Sequence, residues 1–156
     1  MITLQPVQPQ QREFLWNINQ KYLYEMTNFY DDPMDECGNY HYGHFEEYFT
    51  DPRREALFIC NGQTLVGFAF ICPYSNIGQE PDYTMAEFTI FPAYRRQHFA
   101  REAAEAIITA RPGKWEIKYN EKNLPAKRLW TAVTEAYSPE VHHLNEVETV
   151  LAFEVR

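Results

Sequence analysis

The segment Thr89–Ile108, TIFPAYRRQHFAREAAEAII, joins a strand-like apolar run to an alanine-rich run with helical spacing. The apolar run, Tyr83–Phe91, is rich in β-forming residues and ends at a proline. The alanine-rich run predicts an amphipathic helix at Ala100–Ala110, and alternating apolar residues predict another strand at residues 115–119. A strand, a helix and a second strand in this order predict a right-handed β-α-β unit with one parallel strand pair.

The rest of the chain has the patterns of a mixed α/β domain. Ala56–Cys60 and Thr64–Cys72 are β-rich runs, and the Asn61-Gly62 step between them predicts a hairpin. The other predicted elements are strands at Ile2–Val7, Val141–Asn145 and Val147–Val155, helices at Gln10–Tyr30 and Asn123–Tyr137, and a short helix around Tyr42–Phe49. We therefore expect residues 1–156 to form one α/β domain, with a mostly antiparallel mixed sheet, one parallel pair and helices on both faces.

Composition disfavours several classes of partner. The 156 residues carry a net charge of −8, whereas nucleic acids and anionic membranes are bound through net basic surfaces. The first residues lack the basic and apolar segments of a signal peptide, and three cysteines without a CxxC pair suit reduced thiols. We expect a cytoplasmic protein that binds neither nucleic acid nor membrane.

The start of the predicted helix concentrates positive charge in a chain that is acidic as a whole. Arg95, Arg96 and Arg101 surround this start. Backbone N–H groups at a helix N-terminus are unpaired and the helix dipole is positive there, so the position suits a diphosphate. The alternative is a solvated basic helix start without a ligand, although arginine is electrostatically unfavourable there unless an anion is bound.

The same segment resembles the acyl-CoA-binding motif of the GNAT superfamily of N-acyltransferases. Arg95–Ala100, RRQHFA, is similar to the family pattern Arg/Gln-x-x-Gly-x-Gly/Ala at a helix start. The downstream segment KWEIKYNEKNLPAKRLW resembles the family's next strand and helix, with Asn123, Ala126 and Trp130 at the recurring Asn, Ala and aromatic positions. The order of predicted elements matches the family along nearly the whole chain.

The resemblance implies an N-acetyltransferase that moves an acyl group from acetyl-CoA to a primary amine by direct attack on the thioester. It implies that β-strand 83–91 splays from its parallel partner, so that the pantetheine arm pairs with free backbone groups near Phe88 and Ile90. An N–H near Ile90 would polarise the thioester carbonyl, and the Asn123 side chain would bind the pantetheine. Backbone N–H groups from Arg96 to Arg101 would bind the pyrophosphate. The implied cofactor-binding residues are Phe88, Ile90, Arg95, Arg96, Gln97, His98, Phe99, Ala100, Arg101 and Asn123.

Two positions depart from the family pattern. His98 stands where the family has a glycine that allows close approach to phosphate, and Trp130 stands where many members carry a tyrosine that protonates the leaving thiolate. An indole N–H is not an acid near neutral pH, so water or a group such as Tyr119 would replace it. The departures keep a second interpretation open, in which the domain binds CoA weakly or not at all and acts as a protein-interaction module.

Glu87 is the candidate general base. It alternates with Phe88 and Ile90, so its side chain faces the other side of the strand, close to the thioester that the resemblance implies. Partial burial there would raise its pKa into a useful range. The alternative is a salt-bridged glutamate on an exposed sheet face.

Residues 30–49, YDDPMDECGNYHYGHFEEYF, combine carboxylates with aromatic side chains and are the predicted acceptor region for a small-molecule or peptide amine. The alternative is a solvated loop over a core-packed helix. Cys37, His41 and His44 have metal-ligand chemistry at short spacing, but no fourth ligand is evident, so we expect no metal site. The terminal strands could pair between two subunits in a homodimer.

Overall fold

The computed structural model describes residues 1–156 and contains seven strands and three α-helices. In chain order they are β1 (Ile2–Pro6), α1 (Arg12–Met26), β2 (Glu55–Asn61), β3 (Thr64–Cys72), β4 (Tyr83–Ile90), α2 (Phe99–Thr109), β5 (Gly113–Asn120), α3 (Leu124–Thr134), β6 (Glu140–His143) and β7 (Glu148–Val155). Short 3₁₀ turns occupy Pro9–Gln11, Glu46–Phe49, Pro92–Tyr94 and Glu135–Tyr137. None of the helices combines the length and the hydropathy that a membrane-spanning segment needs.

All seven strands form one sheet in the order β1-β2-β3-β4-β5-β7-β6. Every neighbouring pair is antiparallel except β4 and β5, which are parallel and are connected through α2. The β2–β3 hairpin turns directly after Asn61, which pairs with Thr64. The predicted fold class, the parallel pair and this hairpin are therefore confirmed.

Helices cover both faces of the sheet, as predicted. On one face, Ala103 and Ile107 of α2 and Trp130 of α3 belong to one hydrophobic core with Trp115 and Ile117 of β5. The other face is covered by α1 and the segment around residues 40–49. Its core contains Leu15, Phe45 and Tyr48 with Phe58, Phe68, Phe70, Cys60 and Cys72 of β2 and β3. Two of the candidate site residues, Glu87 and Phe88, lie on opposite faces of β4, and each face is covered by one of these two cores.

The first helix is shorter than predicted. α1 begins at Arg12 and ends at Met26, whereas the hydrophobic pattern predicted a helix from Gln10 to Tyr30. Side chains stop it: the Thr27 hydroxyl donates to the Tyr24 carbonyl at 2.6 Å, and the Asn28 amide donates to the Glu25 carbonyl at 2.8 Å. The side chains of Thr and Asn compete in this way with backbone N–H groups for the helix carbonyls. Apolar spacing does not register this competition, so it overestimated the length of the helix.

Side chains at element boundaries explain the other differences. Asn123 is the N-cap of α3 rather than its first residue, because its Oδ1 accepts from the Ala126 N–H at 3.3 Å. Asn145 was predicted to end a strand, but its Oδ1 accepts the N–H groups of Val147 and Glu148 and forms the β6–β7 turn. The helix predicted around Tyr42–Phe49 is reduced to the 3₁₀ turn at its end.

Gly67 of β3 marks a close approach between strands, and replacing it is expected to destabilise the sheet. A Cβ at this position would overlap the Thr89 carbonyl oxygen and lie 3.1 Å from two atoms of Ile90. We expect Gly67→Ala to lower the free energy of unfolding by about 2 kcal/mol, because overpacking moves backbone in a dense core. Thermal unfolding should show a melting temperature about 4–8 °C lower. Gly43→Ala is the matched control, since its Cβ would meet only His41 at 3.7 Å. Equal melting temperatures for the two variants would contradict this account.

Candidate active site

The parallel strands β4 and β5 stay together for only three residue pairs. The ladder joins Tyr83–Met85 to Trp115–Ile117 and ends there. Each strand continues beyond this point, paired only with its antiparallel neighbour on the outer side. The sheet is therefore split between β4 and β5 at their C-terminal ends, which is the splay that the resemblance implied.

Backbone groups of β4 face this split. The Phe91 N–H donates to the Val66 carbonyl of β3 at 2.8 Å. Because peptide groups alternate along a strand, the N–H and C=O groups of Phe88 and Ile90 point the other way, toward the split. Neither of these two N–H groups meets a partner on β5, because the ladder has ended. The split thus offers donors and acceptors to an extended ligand.

The loop after β4 leads into the start of α2 through two residues in the left-handed region. Arg96 and His98 both have a φ of +65°. The first helical hydrogen bond of α2 runs from the Glu102 N–H to the His98 carbonyl, at 3.2 Å. The N–H groups of Phe99–Arg101 precede it and have no carbonyl within the helix to bind. These amides and the positive end of the helix dipole suit an anionic group.

The three arginines of this loop have different surroundings. Arg95 forms a bidentate ion pair with Glu25 of α1, with N–O distances of 2.6 and 2.7 Å. Arg101 pairs with Glu105, one turn along α2, at 2.8 Å. Arg96 is exposed and enters none of the ion pairs of the chain. Of the three guanidiniums, only that of Arg96 can bind a ligand without first breaking an ion pair with a carboxylate.

The wall of the split on the α3 side is aromatic. The Phe88 ring meets Trp130 edge-on, with centroids 5.1 Å apart, and Tyr119 of β5 is buried on the same face of the sheet. Asn123 caps α3 with its Oδ1, so its Nδ2 is the group left for a ligand. The structure thus brings Phe88 and Trp130 into contact, and it places Asn123 at the N-terminus of the helix that carries Trp130.

Glu87 lies on the opposite face of β4, under α1 and the segment before the 3₁₀ turn at Glu46–Phe49. Its Oε2 accepts from the Tyr42 hydroxyl at 2.8 Å. Burial raises the pKa of Glu87 to about 6, while the hydrogen bond from Tyr42, the nearby Tyr22 hydroxyl and the charge of Lys118 act in the lowering direction. A carboxylate with such a pKa is deprotonated at neutral pH and remains basic enough to take a proton.

Sequence reasoning missed several polar residues beside Glu87. Tyr22 comes from α1, and Lys118 comes from β5. Glu148 at the start of β7 accepts from the Tyr30 hydroxyl at 2.9 Å and lies 3.2 Å from the Lys118 ammonium. Asn145 donates to the other Glu148 oxygen at 2.9 Å. Alternation along β5 and β7 was the available signal, because it places Lys118 and Glu148 on the α1 face.

Three of the six acidic side chains in residues 30–49, the predicted acceptor region, have partners within the protein. Glu46 pairs with Arg12, Glu47 pairs with His44, and Asp35 accepts the N–H groups of Cys37 and Asn39. Aromatic residues of the segment pack on the sheet, with Tyr48 stacked on Phe70. No group of three or more His, Cys, Asp or Glu residues has an arrangement that could hold a metal ion.

A second concavity lies at the other end of the sheet. This lower groove has a volume of about 810 Å³. It is lined by residues 78–83 with Pro52, Arg53, Glu55, Pro73 and Ser75. It contains none of the predicted site residues, and its rim carries the carboxylates of Glu55, Glu80 and Asp82. An anionic ligand is therefore disfavoured there and favoured at the start of α2.

Comparisons with known proteins agree with this geometry. The model of the acetyltransferase (GNAT) family matches residues 13–134. No curated protein sequence is detectably similar to the chain.

Three solved structures illustrate the structural similarity. An acetyltransferase from Thermus thermophilus superposes with a TM-score of 0.69 and 16% identity, over 99% of this chain and 97% of that one. Arabidopsis thaliana NAA60, solved with acetyl-CoA, gives 0.64 and 11%, over 99% of both chains. Spermidine N-acetyltransferase from Vibrio cholerae, solved with CoA and spermine, gives 0.63 and 15%, over 99% and 94%. At these identities the similarity shows the fold.

The family model covers well over half of the chain, and the seven-stranded sheet splits beside a basic helix start. This protein therefore belongs to the GNAT family of acetyltransferases.

Proposed function

We propose that this protein transfers an acetyl group from acetyl-CoA to a primary amine by direct attack on the thioester. The observation that carries the proposal is the end of the β4–β5 ladder at Met85 and Ile117. It leaves the N–H groups of Phe88 and Ile90 without a partner on β5, and the side chain of Glu87, which directly precedes Phe88, lies on the opposite face of β4. A thioester held along β4 would thus be next to a base.

The residues present fit the cofactor that the family implies. The split supplies main-chain partners for an amide-bearing arm, and the start of α2 supplies N–H groups and Arg96 for phosphates. When bound, acetyl-CoA supplies the activated acetyl group. The Ile90 N–H would hold the carbonyl oxygen as negative charge develops on it.

Glu87 would remove a proton from the acceptor ammonium, directly or through one water. Tyr42 orients its carboxylate through the 2.8 Å hydrogen bond, and burial gives it a pKa of about 6. The thiolate that leaves would take a proton from water or from a group such as Tyr119, because Trp130 has no acidic proton.

The acceptor is a primary amine on a small molecule or a peptide. Tyr30, Tyr42 and Glu87 border the space on the α1 face of the split, and Asp31 and Asp32 are exposed beside Tyr30. Aromatic rings with carboxylates nearby attract an ammonium group before it loses its proton.

Calorimetric titration with acetyl-CoA, followed by thiol release with a panel of amines, tests the proposal. We expect micromolar binding of acetyl-CoA and amine-dependent release of CoA. The absence of binding at millimolar acetyl-CoA would contradict the proposal and would favour the alternative, an interaction module of the same fold.

His98→Gly is expected to tighten CoA binding. Glycine keeps the left-handed conformation of residue 98, with a φ of +65° and a ψ of 9°, and removes the side chain that limits how closely a phosphate approaches the backbone there. We expect the dissociation constant of CoA to fall about 3-fold, with little change in thermal stability, because the strain relieved in the folded state is offset by the greater freedom of glycine in the unfolded chain. His98→Ala removes the imidazole but keeps the Cβ, so it separates the effect of the ring from that of the Cβ. Weaker binding by the glycine variant would show that the imidazole contacts the cofactor favourably.

A further inference from the structure

The Arg95 side chain forms hydrogen bonds with α1 and with the end of β4. Nη1 and Nη2 donate to the two oxygens of Glu25 on α1 at 2.6 and 2.7 Å. Nε donates to the Ile90 carbonyl at 2.7 Å, and Nη2 lies 3.4 Å from the Thr89 hydroxyl. The guanidinium therefore joins α1 to the last two residues of β4 and to the loop that starts after it.

The carbonyl that Arg95 binds is one that faces the split. Strand pairing leaves the Ile90 peptide without a partner on β5, and the guanidinium supplies that partner for its carbonyl. The Ile90 carbonyl lies in the peptide plane after the Ile90 Cα, and the Ile90 N–H, the proposed donor to the thioester carbonyl, lies in the plane before it. The guanidinium therefore holds one of the two peptide planes that meet at this Cα. Arg95 thus acts on the geometry of β4 at the point where an acyl group would be held.

The partner carboxylate belongs to the same helix that contacts the base. Glu25 lies three residues after Tyr22 on α1, and the Tyr22 hydroxyl interacts with Glu87. Residues three apart share a face of a helix, so one surface of α1 contacts Glu87 and the cofactor loop. The same helix therefore lies against both the candidate base and the loop after β4.

We propose, on the basis of the proposed function, that Glu25 and Arg95 are positioning residues that set the end of β4 for the acyl-bearing arm, and that the Arg95 guanidinium does not bind phosphate. To reach a diphosphate, Arg95 would leave two carboxylate bonds and a backbone carbonyl, and charge-assisted hydrogen bonds are the strongest that the fold makes. The side chain of Glu25, 31% exposed, would lose its cation. Arg96 is exposed and unpaired, so it is the phosphate ligand.

Two fragments of the cofactor separate these roles. ADP carries the diphosphate without the pantetheine arm, and S-acetyl-pantetheine carries the arm and the acetyl group without a diphosphate. The variants are Arg95→Gln and the nearly isosteric Glu25→Gln, with Arg96→Gln as the matched control in the same loop. For each folded variant, the inhibition constant of ADP and the kcat/KM for S-acetyl-pantetheine are measured with one amine.

Arg95→Gln and Glu25→Gln are expected to lower kcat/KM for S-acetyl-pantetheine about tenfold and to change the ADP inhibition constant less than twofold. Arg96→Gln should show the reverse order, with about a tenfold loss of ADP affinity and a smaller loss with S-acetyl-pantetheine. The proposal is overturned if Arg95→Gln weakens ADP as much as Arg96→Gln does. It is also overturned if Glu25→Gln tightens ADP, which would mean that Glu25 competes with phosphate for Arg95.

If the proposed function itself is wrong, the experiments give a different result from the one that overturns the role of Glu25 and Arg95. A wild-type protein that neither binds acetyl-CoA nor releases CoA in the presence of amines contradicts the transferase assignment itself. A wild-type protein that is active, with fragment effects in the opposite order, contradicts only the positioning role of Glu25 and Arg95.

Discussion

Glu87→Gln is expected to lower kcat/KM for acetyl transfer by about 100-fold to 10,000-fold, the range that a positioned general base contributes. It is also expected to change the pH profile. Burial raises the pKa of Glu87 to about 6, so the wild-type rate should fall as pH decreases through 6 and the carboxylate becomes protonated. Because glutamine cannot titrate, the acidic limb of the pH profile should disappear in this variant. The remaining pH dependence should then come from ionisation of the amine substrate. Steady-state kinetics between pH 5 and 9 measure both effects.

Tyr42→Phe is the matched control for this prediction. The Tyr42 hydrogen bond acts to lower the pKa of Glu87, so its removal should move the acidic limb to higher pH and preserve it. An unchanged rate and an unchanged acidic limb in Glu87→Gln would remove Glu87 as the base. The limb would then belong to another group or to the acceptor.

Ala100→Asp is expected to weaken acetyl-CoA binding by at least about 100-fold while the protein remains folded. Ala100 is the second residue of α2, where a carboxylate interacts favourably with the helix dipole by about 0.3–1 kcal/mol, which offsets part of the cost of placing a charge at a partly buried position beside the core. The same charge repels a diphosphate at the helix start, and at about 5 Å this repulsion is of order 3 kcal/mol near a protein surface. Calorimetry should therefore show a large loss of affinity in a variant whose thermal unfolding remains cooperative.

Ala106→Asp introduces the same charge in the middle of α2, at an exposed alanine. It should leave the acetyl-CoA dissociation constant within about threefold, because screening weakens the interaction over the added distance. Equal losses of affinity in the two variants would mean that net charge, and not the helix start, controls binding. A dissociation constant unchanged by Ala100→Asp would place the diphosphate elsewhere.

The order of the elements was predictable because hydrophobic periodicity is local information. Thr64–Cys72 was predicted with its observed bounds, and an apolar run between turn signals sufficed for that. The ends of α1 and β6 were predicted incorrectly because Thr27, Asn28 and Asn145 compete for backbone groups through side-chain hydrogen bonds. Such bonds depend on rotamers and neighbours, which apolar spacing does not encode.

The candidate site was predictable only in part. The loop motif predicted Arg95 as a cofactor-binding residue, and it contains no sign of the ion pair that the Arg95 side chain forms with Glu25, 70 residues earlier in the chain. Lys118 and Glu148 meet because of the register of β5 on β7, and Tyr42 reaches Glu87 from a segment without regular structure. These contacts depend on tertiary packing between distant segments, so they cannot be inferred from the spacing of residues within a single segment.

Amide chemical-shift mapping during titration with acetyl-CoA tests the central claim most directly, since it follows the proposed donors individually. We predict that the largest ¹H–¹⁵N shifts fall on Phe88 and Ile90 and on residues 97–101, at the split and the start of α2. Residues 78–83 of the lower groove should not shift. An unperturbed β4 and α2 start at saturating acetyl-CoA, or shifts confined to the lower groove, would contradict the account.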